Sequence, residues 1–212
     1  MTLWFVVFAS GLYHGLSPGM GWPLAVSAGL WERREAALFA AVLWLAAGHF
    51  AAMAVVLLPF AFLTWFIDRS VEIRVGAGVL VIGFGLWRFF DQRHPRALAR
   101  IKPTQLALWS FLVAVAHGAG LLLVPVYLGM AAQGAHTNHG GMGHAMENSI
   151  TMAIAVSATH TLAMVVGGGA IAWAVYRYLG LQFLKKSWFN LEVLWALSLI
   201  AAGTAGVWSA LA

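Results

Sequence analysis

The chain contains no cysteine. That excludes disulfides, thiolate metal sites and dithiol redox chemistry. Charge is scarce as well. Only 9% of the 212 residues are charged, against roughly 25% in a soluble domain. Acidic residues are the scarcest class of charge, seven in all, and every one lies near the end of an apolar run. No segment resembles a nucleotide-binding P-loop, so any driving force must come from a gradient or a partner protein. What fills the sequence instead is apolar: 62% of residues are hydrophobic and the mean hydropathy is +0.84. This composition describes an all-α integral membrane protein. The net charge of +5 does not point to nucleic acid, because the basic residues sit in short loops between apolar spans. The N-terminus lacks a basic region and a small-residue cleavage site, so the first span is expected to remain in the mature protein.

Six transmembrane helices account for the sequence in one membrane domain, 1–212. They run at about 3–30, 36–67, 71–90, 105–130, 150–178 and 191–211. A crossing needs about 20 apolar residues. The first, second, fourth and fifth exceed that and are expected to tilt, kink or unwind. Ten of the 12 Lys and Arg residues fall in the loops after spans one, three and five. Only Arg69 and Arg74 fall on the other side. The positive-inside rule then places a multi-pass protein in an inner (cytoplasmic) membrane with both termini outside. The loop 131–149 also falls outside.

Within span one the stretch Gly11 to Pro23 holds His14, four glycines, and both Pro18 and Pro23. A break at membrane depth leaves backbone groups without partners, and is tolerated only inside protein or beside a cavity. A histidine there marks a site by default. The pattern recurs. Span four carries His117-Gly118, span two carries Gly48-His49, and span five carries Thr159-His160. Met53 and Met164 follow those last two histidines by four residues each. Glu72 precedes Gly83 by eleven residues, and Glu192 precedes Gly203 by eleven. The chain therefore reads as two inverted three-helix repeats, about 1–98 and 103–212, with broken first and fourth helices. Inverted repeats with broken helices and a midplane site are common in transporters.

His14 lies about 16 Å into its span, near the bilayer centre, and His49, His117 and His160 reach similar depths. Together with Met20, Met53 and Met164 they form the expected metal site. Imidazole suits copper, nickel, cobalt and zinc, while thioether favours Cu(I). A donor set without carboxylates suits a soft monovalent ion. A second tract, His136, His139, Met142, His144 and Met146, lies in the outer loop and reads as a metal-capture segment. Glu72 and Glu192 read as boundary charges.

Two other functions fit the same histidines. One is a haem b electron-transfer protein with paired axial histidines, in which Gly11, Gly15, Gly48 and Gly118 admit the macrocycle. The other is a membrane metal chaperone or assembly subunit that does not alternate access. Ser17 and Ser157 are the only hydroxyls placed as nucleophiles, and both read as backbone caps, so the chain is read as a non-enzyme. The partners this reading admits are the lipid bilayer, the metal ion, and either a homo-oligomer or a membrane or periplasmic protein.

The residues His14-Gly15-Leu16-Ser17-Pro18-Gly19-Met20 resemble the His-Gly-Leu-x-Pro-Gly-His signature of the NicO group of nickel/cobalt transporters, notably RcnA-type efflux proteins. Gly48-His49 and Ser157-Ala158-Thr159-His160 resemble the group's mid-helix histidine motif, and a His-rich loop between spans is also seen there. The resemblance implies transport of nickel or cobalt by a divergent member. Met20 stands where the group has its second histidine, and the His-x4-Asp-His pattern of related permeases is absent. The His-to-Met change at Met20 moves the metal toward copper.

Overall fold

The computed structural model describes residues 2–67, 71–90, 103–135, 142–179 and 191–211. Among them every regular element is helical and no strand occurs. The helices are α1 (Thr2–Leu16), α2 (Trp22–Glu32), α3 (Glu35–Ile67), α4 (Val71–Phe90), α5 (Pro103–His117), α6 (Ala119–Ala135), α7 (Met142–Ala174) and α8 (Leu191–Leu211). A 3₁₀ turn, Pro18–Met20, joins α1 to α2, and a π turn, Val175–Leu179, extends α7. Among the described residues two helices are long and apolar enough to cross a membrane, or three crossings if the bent pair α5 and α6 counts as one. Side chains such as Leu43, Leu162 and Val166 are exposed on these helices, and Phe5 is exposed on α1, which suits a hydrocarbon surround.

The two breaks have different causes. At the first, Pro18 has no N–H to continue α1 and its ring clashes with the preceding turn. The chain tightens instead: the Ser17 amide donates to the His14 carbonyl at 3.1 Å, and the Gly21 amide donates to that of Pro18 at 3.2 Å. Gly21 then takes φ +97°, a left-handed conformation that glycine adopts without strain. Pro23 sits in the first turn of α2, where a missing N–H costs nothing. The Trp22 indole reaches back across the break and donates to the Leu16 carbonyl at 3.2 Å. The Ser17 side chain makes no cap hydrogen bond, contrary to the capping role expected for it. At the second break no proline is present. Gly118 at φ +70° turns the chain through 65° between α5 and α6.

α1 lies along α7, α3 lies against both α5 and α7, and α4 lies along α8. Buried apolar side chains form two clusters. Met53, Leu57, Leu123 and Tyr127 belong to one. Trp22, Val26, Leu38, Leu45 and Leu106 belong to the other. Tyr127 is tied to the start of α7 by donating to the Ser149 carbonyl at 3.0 Å.

One boundary differs from expectation. The segment 131–149 was expected to be a glycine-spaced loop, yet α6 continues to Ala135 and α7 begins at Met142. Alanine, methionine and glutamate after residue 142 are good helix formers, and a single Gly143 does not outweigh them.

Candidate metal centre

His14 ends its helix two residues before the first break. His49 lies mid-way along α3, and His160 lies within α7. Because α7 touches both α1 and α3, the three rings meet. They are 1%, 1% and 0% exposed, and one ring nitrogen from each lies within 4.8 Å of the other two. Ring centroids are 5.0 Å apart for His14 and His49, 5.5 Å for His14 and His160, and 5.6 Å for His49 and His160. The last pair is nearly parallel, at 16°. An ion held at about 2.0 Å by each of three nitrogens needs them roughly 3.5 Å apart.

Glycine makes this approach possible. A Cβ on Gly11 would overlap the His160 carbonyl oxygen, and one on Gly15 would overlap that of Met164. A Cβ on Gly48 would overlap the Ala107 carbonyl of α5. α1 therefore rests backbone to backbone on α7, and α3 does so on α5. Ser110 adds a hydrogen bond from α5 to the Leu45 carbonyl of α3 at 2.7 Å, one turn before His49.

Proton positions at His160 follow from donor counting. The Ser10 hydroxyl donates its one proton to the Val7 carbonyl at 2.8 Å. Its oxygen lies 3.1 Å from His160 Nδ1 and there can only accept, so Nδ1 carries the hydrogen. The lone pair is then on Nε2. The Nε2 atoms of His49 and His160 are buried and make no hydrogen bond. A buried polar atom left this way costs roughly 1–3 kcal/mol, and an ion would recover it. Ser10 was not anticipated. It sits one turn before His14 in an apolar helix, and that spacing was its only signal.

The remaining expected ligands are distributed differently. His117 is buried at the end of α5, outside the group of three. Its Nδ1–H donates to the Val113 carbonyl at 2.9 Å. Met53 is packed in the apolar cluster around Leu57 and Tyr127. Met20 and Met164 line a small cavity next to Gly15 and Leu45. Met142, His144 and Met146 fall on the first turns of α7, with side chains outside the described residues. His136 and His139 lie outside the described residues altogether. Ser157 donates to the Ala153 carbonyl at 2.8 Å, a backbone role as expected. Gly11, Gly15, Gly48 and Gly118, expected to admit a macrocycle, all face protein instead. Helix backbones occupy the first three, and the Phe84 ring covers the fourth.

The arrangement can therefore do one chemical thing well. Three buried imidazoles, supplied by three helices, could hold a metal ion. No family model matches the chain, and no curated protein or solved structure matches it significantly.

Proposed function

We propose that this chain carries a transition-metal ion (copper, nickel or cobalt) across the membrane through the site formed by His14, His49 and His160. One observation carries the reading. Three fully buried imidazoles converge beside a broken helix, where the other buried polar side chains among the described residues are Ser110, His117, Ser157 and Thr161. Buried ionisable groups in membrane segments are expensive and mark ion paths. A purely structural role would leave no buried ring nitrogen orphaned, yet Nε2 of His49 and Nε2 of His160 make no hydrogen bond.

The full architecture proposed is six spans in two inverted repeats. Helix pairing supports it. Exchanging the halves turns the α1–α7 contact into the α5–α3 contact, and leaves the α3–α7 and α4–α8 contacts unchanged. A broken helix opens each half. Both features suit rocking of one repeat against the other around a shared site, and with the His14-to-Met20 motif they favour a NicO-like carrier. The haem reading has less to support it, because the backbone contacts at Gly11 and Gly15 leave no slot between α1 and α7.

The test is metal flux into proteoliposomes, with bound metal measured on the same preparations. His14→Ala, His49→Ala and His160→Ala should each abolish flux and the nitrogen-bound metal. His117→Ala should keep bound metal, because His117 stands outside the triad. Wild-type flux in any two of the triad variants would refute the assignment.

A further inference from the structure

Met20 and Met164 line a shared cavity of about 20 Å³, room for about one water-sized guest. Its position follows from the helices around it. Gly15 comes directly after His14, Leu45 lies four residues before His49, and Met164 lies four residues after His160. The cavity is therefore one helical turn, about 6 Å along the axis, from the triad. It lies on the side of the α2–α3 turn, where Arg33 and Arg34 sit.

The lining selects its guest by chemistry. Besides the two thioethers it consists of Gly15, Gly168, Gly169, Val42, Leu45, Val165 and Trp22. The indole N–H of Trp22 is already committed to the Leu16 carbonyl. No carboxylate or imidazole side chain faces the space, so a hard or strongly hydrated divalent ion finds no ligand side chain there. Thioether sulfur favours Cu(I). The triad agrees with that preference. No acidic residue is buried among the described residues, so a monovalent ion leaves the least uncompensated charge. The break itself supplies one of the sulfurs, since Met20 ends the 3₁₀ turn that Pro18 begins.

We propose that Met20 and Met164 form a thioether station for Cu(I), through which the ion passes between the histidine triad and the membrane face carrying the α2–α3 turn. The inference rests on the transport reading and names its cargo. Passage exchanges imidazole for thioether ligands, and copper stays in the +1 state throughout. Triad and station are occupied in turn, because two cations one helical turn apart repel strongly in a low dielectric.

The experiment uses the full chain in lipid nanodiscs, loaded anaerobically with Cu(I), and copper X-ray absorption. In selenomethionine-labelled protein a copper–selenium contact should appear. It should dominate in the His14→Ala, His49→Ala, His160→Ala triple variant. Met20→Leu with Met164→Leu should keep one Cu(I) on nitrogen ligands, lose the selenium contact, and slow Cu(I) flux at least about tenfold. Met53→Leu should match the wild type. Copper bound by nitrogen alone in every preparation, with undiminished flux in the Met20/Met164 double variant, would overturn the station and leave the transport reading intact. Preference for Ni(II) over Cu(I) in the wild type would overturn the cargo. A wild type that neither binds nor moves any metal would overturn the transport reading too.

Discussion

Ser10 determines which nitrogen of His160 faces the triad. Its hydroxyl proton goes to Val7, so its oxygen must accept from Nδ1, and the Nε2 lone pair is left for an ion. Partners that orient a ligand in this way typically contribute 10–100-fold to metal affinity. Ser10→Ala should therefore weaken metal binding at the triad by about tenfold without removing it, whereas His160→Ala removes it from the triad. A competition titration measures both, and equal affinity in Ser10→Ala and wild type would dismiss the positioning role. The triad histidines were legible in the sequence because a polar ring in an apolar run has few explanations. Their grouping was not. His117 looked equivalent to the other three by depth, and to His14 by its following glycine, yet its Nδ1 turns back to its own helix. Depth fixes one coordinate of a side chain. Which face of the helix it occupies relative to its neighbours fixes the other two.

At the level of elements, glycine acts in two distinct ways. Gly118 turns the chain at φ +70° with the Phe84 ring against it. A side chain there is strained by the backbone and blocked by the ring, so Gly118→Ala should lower stability by about 1–3 kcal/mol. Gly83, inside α4, has open space where a Cβ would go. Gly83→Ala should be neutral or stabilising by up to about 1 kcal/mol. Thermal unfolding in one detergent compares them directly. A Gly118→Ala variant as stable as Gly83→Ala would contradict the account of the second break. Helix ends at α3, α4 and α8 coincide closely with the apolar runs in the sequence, because hydropathy and helix length are both local properties. Local signals were less informative at residue 142, where α7 begins inside a stretch rich in glycine and histidine. Composition there suggested solvation, while the helix formers that follow extend the helix upstream.

For the molecule as a whole, absence of cysteine makes sidedness directly testable. Glu35→Cys and Asn148→Cys change exposed positions, and each would carry the only thiol in its chain. With an impermeant maleimide on intact cells, Asn148→Cys should label and Glu35→Cys should label only after permeabilisation, as the distribution of basic residues requires. The reverse pattern would invert the topology. Membrane character, helical class, both breaks and the residue types of the candidate metal site were legible in the sequence alone. Each follows from the solvent a segment must face or from what proline and glycine do to a backbone, and neither depends on distant residues. Only the tertiary structure decided that three histidines meet and the fourth does not, that Ser10 orients one of them, and that Met20 and Met164 share a cavity while Met53 packs elsewhere. Those outcomes depend on how α1, α3 and α7 cross. The crossings in turn depend on glycines such as Gly11 and Gly15, where two backbones touch. The stretch from His14 to Met20 holds both kinds of information: its break was written in Pro18, and its division between an imidazole site and a thioether cavity was set by the helices packed around it.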